Sequence, residues 1–348
     1  MAVGILDEYT PLRMGENSIG TPALWGGFLA FVLLMLALDL GVFHRKAHAI
    51  SVREALSWSV AWISLALLFN LGVYLKFGAK PAQEFLAAYL TEEALSVDNL
   101  FVFLVIFSYF SVAPAVQHRV LFWGILGAIL FRAAFILGAI SLVHHVHWAF
   151  YVFGAFLVFT GVKILLQKDE EVHPERNPVL RAFKRLVPMT HEYHGAKFLV
   201  RQGGKLLATP LLLVLVVVEG TDILFAVDSV PAVVGLSQEP FIIFTSNIFA
   251  VLGLRSLFFV LAGSMERFQY LKVGLGLVLV FIGGKMGLET FDKSWEVPIG
   301  TSLGAIVGIL GCSVLASLLV RPTKPPLPEH LHDGKPVKEP FAEGSDPG

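Results

Sequence analysis

The feature that most constrains this chain is a succession of apolar runs, each close to the roughly 20 residues that one bilayer-spanning helix needs. Nine of them follow one another, at roughly 20–42, 57–76, 85–109, 118–141, 147–166, 209–235, 240–262, 269–288 and 298–320. Loop punctuation separates them: Gly78-Ala79-Lys80-Pro81, Pro114, Gln238-Glu239-Pro240 and Pro298. Composition agrees, with 55% hydrophobic and only 15% charged residues, against about 25% charged in ordinary soluble domains. Mean hydropathy is +0.72. A soluble fold cannot hide that much apolar surface, whereas a bilayer can. The expected fold is an all-α, polytopic membrane helix bundle with about nine transmembrane helices.

Other classes find little support. A net charge of −1 carries no signature of nucleic-acid binding. The single cysteine, Cys312, lies in an apolar run, so neither a disulfide framework nor a thiolate metal site is expected. No P-loop, dinucleotide fingerprint or nucleophile–base pair stands out, so no enzyme activity and no permanently bound cofactor are expected. The first 18 residues are acidic and lack the basic start of a signal peptide. The first apolar run is therefore expected to persist as a helix.

Lysine and arginine counts set the expected orientation. With the N-terminus outside, the inner segments carry Arg45, Lys46, Arg53, Arg119, eight basic residues in 167–208, Arg267 and the four of the tail. The outer segments carry only Arg13, Lys76, Lys80 and Lys293. An odd number of helices, N-terminus out and C-terminus in, accounts for this. A transporter domain is expected over 1–320, with an inner loop at 167–208 that meets anionic lipid. The Pro-rich, charged 321–348 reads as a disordered cytoplasmic tail.

The chain also resembles itself. Leu157–Lys163 and Leu279–Lys285 agree at five of seven positions. About 30 residues before each lysine stands an intramembrane arginine, Arg132 or Arg255, shortly after Leu126-Gly127 or Leu252-Gly253. Earlier still, Glu92 and Asp98 share a six-residue step with Asp222 and Asp228. Helices 3–5 (about 85–167) thus match helices 6–8 (about 209–289). Three helices per copy is odd, so the copies cross the membrane in opposite senses, an architecture of secondary transporters with sites near the midplane.

Two of the apolar runs hold Glu92, Glu93, Asp98, Glu219, Asp222 and Asp228. Insertion scales charge a central Asp, Lys or Arg roughly 2.5–3.5 kcal/mol, so such groups should face the bundle interior, a watery cavity or a bound ion. Glu92, Ser96 and Asn99 form one helical stripe, as do Asp222 and Ser229, and Glu219 and Asp222 share a face. Pro231 and Gly220 suggest that the sixth helix is broken, which would expose carbonyls to a cation. Hard oxygen ligands suit Mn²⁺, Mg²⁺ or Ca²⁺ and do not choose among them. The competing reading is that Arg132, Lys163, Arg255 and Lys285 simply pair with these acids and hold the bundle together. A further reading has one or more acids carrying protons.

Weaker candidates remain. Asp39, near the inner end of the first helix, either joins the path or caps the helix. Asn70 and Asn247 read as interhelical glue. The histidine groups 144, 145 and 147, and 173, 191 and 194, read as surface clusters with no necessary metal.

At Glu92-Glu93-Ala94-Leu95-Ser96-Val97-Asp98-Asn99-Leu100-Phe101 and Glu219-Gly220-Thr221-Asp222-Ile223-Leu224-Phe225-Ala226-Val227-Asp228-Ser229-Val230-Pro231 the chain resembles the TerC family of bacterial integral membrane proteins, including its Alx branch. Asn247-Ile248-Phe249-Ala250, the following Leu252-Gly253-Leu254-Arg255-Ser256-Leu257 and Asp39 fit as well, over about 20–320. The resemblance implies export of Mn²⁺ from the cytosol across the plasma membrane, within a wider group of small-cation and amino-acid exporters. It also implies a metal path through Glu92, Asp98, Asn99, Glu219, Asp222 and Asp228. A non-transporting scaffold or stress-response accessory protein is the alternative from another class.

Overall fold

The computed structural model describes residues 18–38, 52–146, 148–166, 178–190, 192–202, 204–262, 270–292, 295 and 297–320, with the side chains of Asp98, Phe101, His144, Pro178, Val179 and Lys184 excepted. Asp39, His147, His173, His191 and the tail 321–348 lie outside the described residues.

Nine described helices have 17 residues or more: α1 (Pro22–Leu38), α2 (Val52–Phe77), α3 (Ala79–Tyr109), α4 (Pro114–His145), α5 (Ala149–Leu166), α7 (Pro210–Val234), α8 (Pro240–Ala262), α9 (Leu271–Phe291) and α10 (Ile299–Leu319). Seven are long and apolar enough to cross a membrane. The others are α1, apolar but short, and α3, which carries Lys80, Glu84, Glu92, Glu93 and Asp98. The chain is thus an all-α polytopic membrane bundle.

Local sequence explains where helices start. Proline occupies the first helical turn of α4 and α7 and opens α1 and α8, where its missing N–H would have no intrahelical acceptor in any case. Gly78, at φ +90°, makes the tight turn between α2 and α3, a conformation that a residue with a Cβ adopts only under strain. The expected break in the sixth apolar segment does not occur: α7 is continuous. Pro231 falls in its last turn, so the single lost backbone bond is absorbed at the helix end, and the Gly235 N–H donates to the Pro231 carbonyl at 2.9 Å.

The 167–208 segment carries more structure than its polar composition suggested. It contains a short amphipathic helix, α6 (Pro178–Leu186), and an antiparallel hairpin of β1 (Leu199–Gln202) and β2 (Lys205–Ala208). Between the strands Gly204 turns the chain at φ +80°. The segment docks on the α3–α4 turn. The Tyr193 hydroxyl donates to the Phe110 carbonyl at 2.7 Å, and Arg119 lies 5.3 Å from the centre of the Phe198 ring.

Hydrogen bonds also define the opposite end of the bundle. Ser237, in the α7–α8 turn, donates to Glu84 near the start of α3 at 2.6 Å, and Ser18 donates to Glu239 at 2.5 Å. The start of α1 and the α2–α3 and α7–α8 turns therefore share one end, and the α3–α4 turn and 167–208 share the other. It follows that α3 and α7 run in opposite directions.

The surface is inverted relative to a soluble protein. Leu33, Leu68, Leu75, Leu130, Leu137, Phe159, Leu166 and Leu319 are exposed, whereas Glu92, Arg132, Asp222 and Asn247 are buried. Only a lipid environment makes such a surface stable. At the centre, α8 is almost wholly buried and packs on α2, α3 and α4. Against it α1 is held by aromatic side chains, with Trp25 5.3 Å from Phe241 and Phe28 5.8 Å from Phe249, centre to centre.

Helices α5 and α9 form the most extensive helix pair. Small residues allow it. A methyl group on Gly161 would lie 2.6 Å from the Gly276 carbonyl oxygen, and one on Gly283 would lie 2.6 Å from that of Gly154. The pairing 154 with 283 and 161 with 276 makes the two helices antiparallel. With little hydrophobic drive between helices in lipid, such backbone approach supplies the packing.

Candidate functional site

Glu92, Arg132 and Asp222 each stand near the middle of a long helix, α3, α4 and α7. The bundle brings them together. Arg132 has no exposed surface and Glu92 none; Asp222 is 3% exposed. The guanidinium takes Asp222 by two bonds, Nε to Oδ2 and Nη2 to Oδ1, both 3.3 Å. Its Nη1 donates to Glu92 Oε1 and, at 3.4 Å, to Asn247 Oδ1 on α8. One arginine thus ties four helices. A planar donor fork suits this task, since it can serve two carboxylates and an amide at once.

The cluster is not saturated. Buried Glu92 Oε2, Ser96 Oγ, Asn99 Nδ2, Ser229 Oγ and Asn247 Nδ2 have no hydrogen-bond partner among the described residues. Buried polar groups are ordinarily paired. Their arrangement follows from the helix directions. Ser96 and Asn99 lie one and two turns beyond Glu92, toward the end that carries 167–208. Ser229 lies two turns beyond Asp222, toward the α7–α8 turn. Unpaired polar atoms therefore flank the arginine on both sides.

The remaining acids sit differently. Glu219 fills the space left by Gly127 on α4: a methyl group there would overlap its carboxylate. Its Oε2 is buried without a partner among the described residues. Glu93 faces Gly253 on α8, where an added methyl group would lie 3.4 Å from Oε1. Asp228 is half-buried further along α7, and Asp98 belongs to α3. Among the described residues no three His, Cys, Asp or Glu groups converge as a ready-made metal cage. What Glu92 and Asp222 build is a site for one positive group, filled by Arg132.

The other basic candidates diverge. Lys285 is buried and pairs with Glu289 at 3.6 Å, one turn along its own helix. Lys163, its counterpart in sequence, is exposed near the end of α5. Arg255 is half-buried and lines a narrow cavity with Phe103, Leu121, Gly124, Ile125, Ala128, Val218 and Leu254 that reaches Asp222. Ile125 and Arg255 also line a second cavity, which runs along Trp62 and Trp58 to Met35 and Ala55, at the ends of α1 and α2 that face the 167–208 side. Of the histidines, the exposed His145 ring lies 2.7 Å from the Ser141 carbonyl and the half-buried His194 lies 3.4 Å from Gln202.

Sequence reasoning placed Asn247 as interhelical glue, and it is more than that: it completes the arginine's ring of acceptors. No spacing rule could have linked it to residues 92, 132 and 222. The role of Gly127 as a seat for Glu219 was equally hidden, although the Leu-Gly motif had marked the position.

Comparison with known proteins follows the same lines. The family model described as "Integral membrane protein TerC family" matches residues 77–325. A Myxococcus xanthus protein, "Uncharacterized membrane protein STKORF319", is 53% identical over 302 residues, covering 87% of this chain and 94% of that one. Two others carry the name "Putative membrane-bound redox modulator Alx". That of Salmonella typhi is 46% identical over 87% of this chain and 96% of its own length. That of Escherichia coli K12 is 47% identical over 84% and 94%. No solved structure matches. The match spans the helices that hold Glu92, Arg132, Asp222 and Asn247, and the chain belongs to the TerC family of integral membrane proteins.

Proposed function

We propose that this protein is a transporter that exports a divalent metal cation, Mn²⁺ above others, from the bacterial cytosol across the plasma membrane. The observation that carries the proposal is the meeting of Glu92 and Asp222 mid-helix, with unpaired polar atoms on either side and a cavity reaching Asp222. Buried carboxylates at that depth are costly and mark ion pathways. The cation is substrate, not a resident cofactor, and the chemistry on the page is that of hard oxygen donors. The choice of Mn²⁺ over other small cations comes from the family resemblance.

The orientation in this reading is N-terminus out and C-terminus in, with nine crossings. Helices α3–α4–α5 and α7–α8–α9 act as inverted repeats. Their packing supports it: exchanging the two sets turns the α3–α8 pair into the α7–α4 pair, both present, and maps the α5–α9 pair onto itself. The cavities then lie toward the cytoplasm, where an exporter takes up its substrate.

The Alx relatives are named for redox modulation. This chain has one cysteine, Cys312, exposed on α10, so an intrachain dithiol is not open to it. In our reading any redox effect of such a protein follows from the metal that it moves. A competing reading, a non-transporting scaffold, is favoured by one observation: Arg132 neutralises part of both central acids.

The test is cellular manganese content and manganese tolerance in cells expressing wild type, Asp222→Asn or Asp98→Asn at equal membrane abundance. Export predicts that wild type lowers internal manganese and that Asp222→Asn abolishes the effect. Unchanged manganese and unchanged levels of other divalent cations would put the scaffold reading first.

A further inference from the structure

The central cluster combines three features that a purely structural ion pair does not need. Its ion pairing is uneven: two carboxylates, of Glu92 and Asp222, share the one guanidinium of Arg132. Its polar groups are unsaturated, with Glu92 Oε2, Ser96 Oγ and Asn247 Nδ2 buried and unpartnered among the described residues. And it interrupts a series of polar groups, with Ser96 and Asn99 on one side and Ser229 on the other.

We propose that Arg132 is a tethered counter-cation: its guanidinium stands in the place of the transported cation between Glu92 and Asp222, and cation binding and arginine seating are mutually exclusive. This rests on the transport reading and deepens it by naming the group that competes with substrate. The charge argument is direct. With arginine in place the pair of acids keeps one net negative charge. With arginine withdrawn and a divalent cation bound, the two carboxylates neutralise it. The geometry argument concerns shape. A guanidinium is a flat fork, and here four of its five N–H groups go to Asp222, Glu92 and Asn247, with the Ser96 hydroxyl unused. A spherical hard cation collects oxygens from all directions, about six to eight for Ca²⁺ and about six for Mg²⁺, and Ser96 lies on the Glu92 stripe one turn away.

The device has a function. An empty pair of buried carboxylates would be strongly unfavourable, since each would be an uncompensated ion out of water. A transporter that returned empty through that state would stall. An internal cation that takes up the acids once substrate has left lets the unloaded protein change conformation, and it keeps the site closed to leak.

The test uses the full chain in lipid nanodiscs, with Mn²⁺ binding read from loss of the free-ion paramagnetic resonance signal. Wild type is compared with Arg132→Gln, Arg132→Lys and the double variant Arg132→Gln with Asp222→Asn. The proposal expects Arg132→Gln to bind Mn²⁺ about tenfold tighter than wild type or better, with the gain lost in the double variant, because ligand no longer competes with the tether. Should Arg132→Gln fold only when Mn²⁺ is present, that rescue supports the proposal equally. Binding no tighter than wild type in folded Arg132→Gln overturns it and makes Arg132 a strut. Failure to fold with or without Mn²⁺, together with wild-type affinity in Arg132→Lys, overturns it as well. If wild type binds Mn²⁺ and Asp222→Asn does not, the transport reading survives the loss of this proposal. If no form binds any divalent cation, both fall.

Discussion

The α5–α9 interface and the charged centre are built from stretches that the proposed repeat pairs with one another, yet one is symmetric and the other is not. At the interface, Gly154 meets Gly283 and Gly161 meets Gly276, so each half contributes the same two positions. At the centre, Arg132 of the first half takes acids from both halves, whereas Arg255 of the second lines the adjoining cavity. Glu219 fills the notch at Gly127, while Glu93 only touches the one at Gly253. Similar sequence is enough to reproduce backbone packing, because helix approach depends on small side chains at fixed spacing. It does not reproduce the polar centre, because one conformation can seat only one arginine between the two acids. An alternating transporter needs this combination of a symmetric frame around an asymmetric lock.

The comparison can be broken at several points. The largest effect is expected at the lock. Asp222→Ala removes the bidentate partner and leaves Arg132 to Glu92 and Asn247; losing one side of a buried pair costs about 3–5 kcal/mol. Thermal melting of the purified protein should fall markedly, and Glu92→Ala should do likewise. If either variant melts like wild type, the cluster is not a structural lock.

A smaller effect is expected at the interface. Gly161→Ala and Gly283→Ala each drive a methyl group into a backbone carbonyl that cannot move aside, a strain of about 1–3 kcal/mol. Their melting shifts should be equal, since the two sites are counterparts. Clearly unequal shifts would undo the claim that this interface is symmetric.

Smaller still is the contrast between the notches. Gly127→Ala should displace the Glu219 carboxylate and, under the export proposal, lower manganese export. Gly253→Ala meets Glu93 at ordinary contact distance and should change export little. Equal loss in both would mean that the centre is as symmetric as the frame. At the bottom of the scale, Lys163→Ala and Cys312→Ser alter exposed side chains and should leave stability within about 0.5 kcal/mol of wild type. A manganese or redox phenotype in Cys312→Ser would contradict the reading of that cysteine as inert.

Much of the fold was legible along the chain, because in lipid each crossing announces itself by length and apolarity. The apolar segments became helices with shifted edges: α2 begins at Val52 and α3 at Ala79, both earlier than their apolar runs, since polar first turns extend beyond the hydrocarbon. The α6 helix and the β1–β2 hairpin were not visible, because such short pieces take their shape from packing: α6 lies against α7, and Tyr193 and Phe198, which lead into the hairpin, meet Phe110 and Arg119.

At the site, the spacing of Glu92, Ser96 and Asn99 and of Asp222 and Ser229 already told which side chains share a stripe, because helical period is a local property. The cost of burying charge told that they face inward. Which base meets which acid was another matter. Arg132, Lys163, Arg255 and Lys285 were equal candidates by sequence; in the bundle Arg132 clamps the central acids, while Lys285 turns to Glu289 and Lys163 outward. Pairing depends on how α3, α4, α7 and α8 rotate and cross, set by the sum of many side-chain contacts from distant parts of the chain. Local pattern fixes a helix and its polar face; the partner across the gap is a property of the packed bundle.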